Sequence, residues 1–163
     1  MANVNVMING KKYNVDSDKT ILQAAKENDI RIPTLCHFKG LTGHANCRMC
    51  VVEVKGMRTL QPACVTKVSE GMEVMTESDT VVESRKTTLE LILAHHAVDC
   101  HHCLRIGSSS EQSLDPKYCE SCFWCDCVRD GFCELQSLAR EYHVDILPYT
   151  QKDKDYELLH NLL

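Results

Sequence analysis

Aromatic side chains are scarce, at 6% of the 163 residues with one Trp and three Phe, which argues against a large core filled by rings. Long apolar runs are missing too. The longest, Leu91-Ile92-Leu93-Ala94, is far below the ~20 residues needed to span a bilayer. Basic excess is absent, since 18 Lys and Arg stand against 23 Asp and Glu, for a formal charge of -5. A nucleic-acid binder would normally carry a basic stripe, so neither a nucleic-acid partner nor a membrane span is expected. The opening residues MANVNVMINGKK lack the charged-then-apolar order of a secretory signal. No glycine-rich phosphate loop occurs, so nucleotide or flavin binding is not suggested. No catalytic constellation stands out either. These absences predict a cytoplasmic chain with no active site of its own, in a reducing compartment where disulfides are rare.

What the chain has in excess is cysteine: 11 of them, with eight histidines. Cys36, Cys47, Cys50 and Cys64 form one group. Cys100, Cys103, Cys119, Cys122, Cys125, Cys127 and Cys133 form a second, after a 35-residue stretch with none. Cys-x-x-Cys spacing recurs, once in the first group and repeatedly in the second. A disulfide framework has no reason for it, whereas two thiolates three positions apart on a tight turn can face one ion or cluster. Metal or iron–sulfur ligation is therefore the expected role.

The pattern along the chain predicts an α+β fold in two parts. Over residues 1–78, Val4, Val6 and Ile8 alternate as a strand, Asn9-Gly10 signals a hairpin, and 12–15 form the return strand. Ser17, Asp18 and Thr20 offer a helix start, with Ile21, Leu22, Ala24 and Ala25 as the apolar face. Pro33 precedes a long loop from Leu35 to Cys50. Val51, Val52 and Val54 read as strand, Lys55-Gly56 as turn, and 72–75 as a last strand. Helical periodicity begins near Thr80, with Val81, Val82, Leu89, Ile92 and Leu93 as an apolar stripe running to His95 and His96. The segment 79–147 continues through a Cys-rich loop, with an insertion at 104–127, to a short helix from Glu134 to Tyr142. The tail 148–163 ends on Leu158, Leu159, Leu162 and Leu163, a candidate docking face.

Cys36, Cys47, Cys50 and Cys64 supply the four thiolates that a 2Fe-2S cluster requires. Gly40 and Gly43, in the loop between the first two, would let backbone N–H groups approach cluster sulfides. Zinc is the alternative for four cysteines, but its ligands usually come as two close pairs, and here only Cys47 and Cys50 are close. The text IPTLCHFKGLTGHANCRMCVVEV, followed by LQPACVT and EGMEVMT, resembles the 2Fe-2S domain of the large iron–sulfur subunit of respiratory NADH dehydrogenase. The same module opens many iron-only hydrogenases and NAD-linked formate dehydrogenases. The resemblance covers residues 2–76 and implies a β-grasp fold with all four cysteines as ligands.

In those families a His-x3-Cys-x2-Cys-x5-Cys pattern follows, then Glu-Leu-Gln. His96 to Cys103 matches its first part, and Cys127 to Gln136 its last. The resemblance implies a 4Fe-4S cluster held by one imidazole and three thiolates: His96, Cys100, Cys103 and Cys133, with Cys127 as the alternative to Cys103. Eleven cysteines and His96 make twelve ligands, enough for three sites of four. The remaining Cys119, Cys122, Cys125 and Cys127 begin like the bacterial ferredoxin run but depart at the fourth cysteine. A further 4Fe-4S cluster is expected there, with zinc, alone on these cysteines or joined by His101 or His102, as the rival occupant.

No cysteine follows Cys133, so nothing corresponds to the catalytic continuations of hydrogenases or formate dehydrogenases. The resemblance implies an iron–sulfur electron-transfer subunit that relays electrons between a flavin-containing, NAD(P)H-binding subunit and other redox subunits of a multi-subunit complex, with ferredoxin as a further candidate partner. Complexes of this kind often bifurcate electrons. With clusters bound the chain would carry roughly -10 of charge, which suits basic partner surfaces. A free-standing ferredoxin and a zinc-stabilised scaffold are the rival readings.

Overall fold

The computed structural model describes residues 2–38, 40–41, 43–94 and 133–144. The alternation of Val4, Val6 and Ile8 produces strand β1 (Asn3–Ile8), with Val6 and Ile8 buried. It pairs antiparallel with β2 (Lys11–Asp16) in a register that sets Ile8 opposite Lys11. Only two residues then connect the strands, and both Asn9 (φ 50°) and Gly10 (φ 79°) take the left-handed conformation of such a turn. Three residues offered a cap for the next helix, and Thr20 provides it. Its hydroxyl accepts from the Gln23 N–H, and the Gln23 side chain accepts from the Thr20 N–H at 2.8 Å. This reciprocal pair satisfies two otherwise open donors. The capped helix α1 (Ile21–Glu27) buries Ile21, Leu22, Ala24 and Ala25 against the sheet.

Three more strands complete the sheet: β3 (Val51–Val54), β4 (Gln61–Pro62) and β5 (Glu73–Met75). The order is β2-β1-β5-β3-β4, with β1 parallel to β5 and the other pairs antiparallel. Strand β4 was not expected. It is two residues long and contains Pro62, so no alternation marks it, and its place at the sheet edge is where proline is tolerated. Val6, Ile8, Ile21, Ala24, Val52 and Val74 lie at the centre of the first core.

Helix α2 (Asp79–Ala94) starts one residue before the expected position. Its buried stripe differs from the expected apolar one. Val82 is exposed, and the inward positions are Val81, Arg85, Leu89 and Ala94. The spacing from Val81 to Leu89 is i, i+4, i+8, one helical face, and its middle residue is an arginine. Helix α3 (Glu134–Glu141) ends at Tyr142, close to the expected bound. A second core joins Met49 with Leu89, Leu138, Ala139, Tyr142 and Val144, while Leu35, Cys47, Leu93 and Leu135 pack at its margin. The two helices thus pack directly on the cysteine-bearing loop. Across the surface, Arg31 pairs with Glu141 at 2.6 Å. The insertion at 104–127 and the tail at 148–163 lie outside the described residues.

Substituting Thr20→Ala removes one half of the capping box and should cost about 1 kcal/mol. A lower urea midpoint with an unchanged slope would show it.

Candidate functional site

Regular structure ends already with α1 at Glu27, before Pro33, and no described residue from there to Cys50, at the entry of β3, lies in a helix or strand. Two non-glycine residues between Cys36 and Cys50, Ala45 (φ 55°) and Arg48 (φ 57°), hold left-handed backbone. Such conformations cost of order 1–3 kcal/mol each and persist where the surroundings over-determine them, typically at functional sites. Gly43 is required by contact. A Cβ there would lie 3.1 Å from Val65 Cγ1 and 3.2 Å from the Cys64 carbonyl oxygen. The absent side chain lets the loop close on the turn that carries Cys64.

That turn is held from two sides. The Ala63 N–H donates to the Cys50 carbonyl at 3.0 Å, extending the β3–β4 pairing. From helix α1, the Leu22 N–H donates to the Ala63 carbonyl at 3.0 Å and the Ile21 N–H to the Thr66 carbonyl at 2.9 Å. The first turn of α1, whose own N–H groups have no partner inside the helix, therefore fixes the fourth cysteine of the group.

The structure brings Cys36, Cys47, Cys50 and Cys64 together as two contacting pairs. Cys36 and Cys47 are in contact, with the Cys47 N–H donating to Cys36 Sγ at 3.5 Å and each thiol close enough to shift the other's ionisation. The Cys50 and Cys64 thiols form the second such pair, with Cys47 near enough to act electrostatically on Cys50. Cys50 and Cys64 are buried and the other two are partly exposed. Burial pushes the Cys50 thiol up to about 12, opposed by the Cys64 backbone N–H and reinforced by the Cys64 thiol. Burial also raises Cys36. At Cys47 burial acts in the same direction, but hydrogen bonds with the Met49 and Leu35 backbone and with Cys36 outweigh it and hold the thiol below its ordinary value. Cys47 thus ionises more readily than Cys36 or Cys50.

Among the described residues, no group of three or more His, Cys, Asp and Glu side chains closes on a point that would hold a single metal ion. Zinc would draw four sulfurs to about 2.3 Å from one centre. Two pairs set side by side suit a centre with two metal atoms, each taking two thiolates. The Cys-x-x-Cys pair of the sequence, Cys47 and Cys50, is divided between the two.

Of the second ligand set, Cys133 is described. It is partly exposed and caps α3, with its sulfur accepting from the Gln136 N–H at 3.5 Å. His96, Cys100, Cys103, Cys119, Cys122, Cys125 and Cys127 lie outside the described residues. The sequence reading missed Arg85, which is fully buried. Its Nη1 donates to Glu77 Oε1 and to Tyr142 Oη, both at 2.7 Å, and its Nη2 to the Val51 carbonyl at 2.8 Å. Burial holds the Tyr142 hydroxyl above its ordinary pKa against the opposing pull of Arg85. The signal for Arg85 was present in the i+4 spacing between Val81 and Leu89, which puts position 85 on the buried face.

A mixed sheet, a capped covering helix and four convergent thiols on the loops beside them define a ferredoxin-like α+β domain. Residues 1–79 match the family described as the 2Fe-2S iron–sulfur cluster binding domain. Similarity to curated proteins runs further along the chain. An NADH-quinone oxidoreductase subunit from Rhizobium meliloti is 39% identical over 115 residues, 71% of this chain and 14% of that protein. The HndD subunit of the NADP-reducing hydrogenase from Solidesulfovibrio fructosivorans is 42% identical over 123 residues, 72% of this chain and 21% of that protein. The chain therefore spans about a fifth or less of the length of these relatives. A solved NAD+-reducing [NiFe]-hydrogenase chain in its H2-reduced state shares the fold, with a TM-score of 0.66 at 24% identity, covering 91% of this chain and 53% of that one.

Gly43→Ala should push the loop off the Cys64 turn. The expected outcome is less iron bound per folded chain, measured by colorimetric iron assay beside circular dichroism.

Proposed function

We propose that this chain is an iron–sulfur electron-transfer subunit of a multi-subunit NAD(P)H-linked oxidoreductase. The observation that carries the reading is the two-and-two arrangement of Cys36 with Cys47 and Cys50 with Cys64, inside a segment of the 2Fe-2S family. Each pair would hold one iron of a 2Fe-2S cluster. Such a cluster supplies one-electron transfer, with a potential set by charge, hydrogen bonds and exposure. The chain's own part is positional. The β3–β4 pairing and the first turn of α1 hold Cys50 and Cys64, Gly43 lets the loop close, and Met49 in the second core keeps water from the inner side. Ligation requires thiolates and so releases protons, for which Cys47 is better prepared than Cys36 or Cys50.

The second part of the chain is read as a small Cys-rich domain. His96, Cys100, Cys103 and Cys133 would hold a 4Fe-4S cluster, with Cys127 as the alternative to Cys103. Cys119, Cys122, Cys125 and Cys127 would hold a further 4Fe-4S cluster or zinc. Cys133 at the start of α3 supports this placement, because α3 packs through Leu135 and Leu138 on the core that also touches Cys47. Electrons would then pass between two neighbouring centres within one compact unit. The relatives named as subunits of an NADH-quinone oxidoreductase and an NADP-reducing hydrogenase support NAD(P)H-linked redox partner subunits; a flavin on the partner, ferredoxin as a soluble acceptor and bifurcation as one mode rest on the family resemblance of the cysteine motifs. Among the described residues no helix is long and apolar enough to cross a membrane, which is compatible with a cytoplasmic site of action.

Anaerobic purification with iron and acid-labile sulfide counting tests the reading. About ten irons per chain are expected for one 2Fe-2S and two 4Fe-4S clusters, and about six if the third set takes zinc. Cys50→Ala should remove about two of them together with the 2Fe-2S signal. A colourless chain without sulfide would contradict the proposal.

A further inference from the structure

The buried face of α2 carries a charge that the ligand assignment leaves unused. The Arg85 side chain is 0% exposed, yet its carboxylate partner, Glu77, is 53% exposed at 2.7 Å. A solvated carboxylate is screened and offsets part of the charge at most. The remaining partners, Tyr142 Oη and the Val51 carbonyl, are uncharged dipoles, and Arg85 Nε has no hydrogen-bond partner. A guanidinium does not shed its proton in a protein, so a positive charge that Glu77 offsets only in part stays inside the fold.

Its position relative to the thiols follows from covalent geometry. Arg85 Nη2 lies 2.8 Å from the carbonyl oxygen of Val51, the residue that follows Cys50. Bond lengths along Val51 and Cys50 then limit the distance from the guanidinium nitrogen to the Cys50 sulfur to about 12 Å. At an effective dielectric near 20, a unit charge at about 12 Å changes a one-electron equilibrium constant roughly tenfold. The same side chain reaches Tyr142, beyond the end of α3, and so ties the strand leaving Cys50 to the helix that begins at Cys133.

The geometry points to Arg85 as a positioning residue for the 2Fe-2S centre, one whose buried charge raises the potential at which that centre accepts an electron. This rests on the assignment of Cys36, Cys47, Cys50 and Cys64 as its ligands. Glu77 acts in the opposite sense, as a solvent-exposed partial counter-charge. Tyr142 contributes a hydrogen bond and ring packing, with the guanidinium carbon 5.9 Å from the ring centroid, but no net charge.

The test is an EPR-monitored redox titration of the full chain after anaerobic loading with iron and sulfide, read on the 2Fe-2S signal. Arg85→Gln should lower the midpoint by about 59 mV, the equivalent of a tenfold loss in the reduction equilibrium. Glu77→Gln, at a side chain exposed enough to leave folding intact, should raise it. Tyr142→Phe should lower the urea midpoint and leave the potential where it was. An unmoved potential in the Glu77 variant, or a fall there as in the Arg85 variant, would overturn the role of charge. The Glu77 titration decides the matter if Arg85→Gln fails to fold. A wild-type chain with no 2Fe-2S signal would overturn the ligand assignment itself, and this inference with it.

Discussion

The short pairing of β3 with β4 governs the site. It sets the Ala63 N–H on the Cys50 carbonyl at 3.0 Å, and so places Cys64 beside Cys50 although 13 residues separate them in the chain. Helix α1 stabilises the same turn through its open N-terminal N–H groups, an arrangement that satisfies the helix end and the loop together. Cys36 and Cys47 are brought in by a loop with strained backbone at Ala45 and Arg48. Without the edge strand the four sulfurs would have no common location. A bound cluster would return that stabilisation, because metal binding to a site absent from the unfolded chain adds to folding free energy.

Charge is the second constraint. The chain is acidic overall, with a formal charge of -5, and a reduced cluster would add to that. Burying an arginine under the strand that leaves Cys50 places positive charge where electron uptake most needs it, and surface Lys or Arg screened by water could not do the same. Breaking its contacts is costly because an uncompensated buried charge remains. The clamp and the electrostatic role are therefore carried by one side chain, and the second core of Met49, Leu89, Leu138, Ala139 and Tyr142 closes around it.

Much of this was legible in the sequence where local chemistry decides structure. Asn9-Gly10 marked the hairpin, Thr20 was one of three candidates for the helix start, and Glu134 marked the onset of α3. The convergence of Cys36, Cys47, Cys50 and Cys64 was also legible, from composition and from family resemblance. Their partnership was not. Spacing sets Cys47 with Cys50, whereas the contacts join Cys36 to Cys47 and Cys50 to Cys64, because pairing across a sheet edge is a long-range matter that spacing does not encode. Strand β4 escaped notice because two residues have no period. Arg85 did so because a charged residue on an apolar stripe reads as an interruption, when here it is the centre of that stripe.

The central claim is that two thiol pairs hold two irons. Mössbauer spectroscopy of the full chain loaded with iron-57 tests this directly, since it resolves iron sites by valence and ligand set. After one-electron reduction, a ferric and a ferrous site are expected in equal amounts, both with tetrahedral sulfur ligation, and both should disappear together in a Cys36→Ala chain. A single tetrahedral iron with four cysteine ligands in that segment, with no coupled partner, would contradict it.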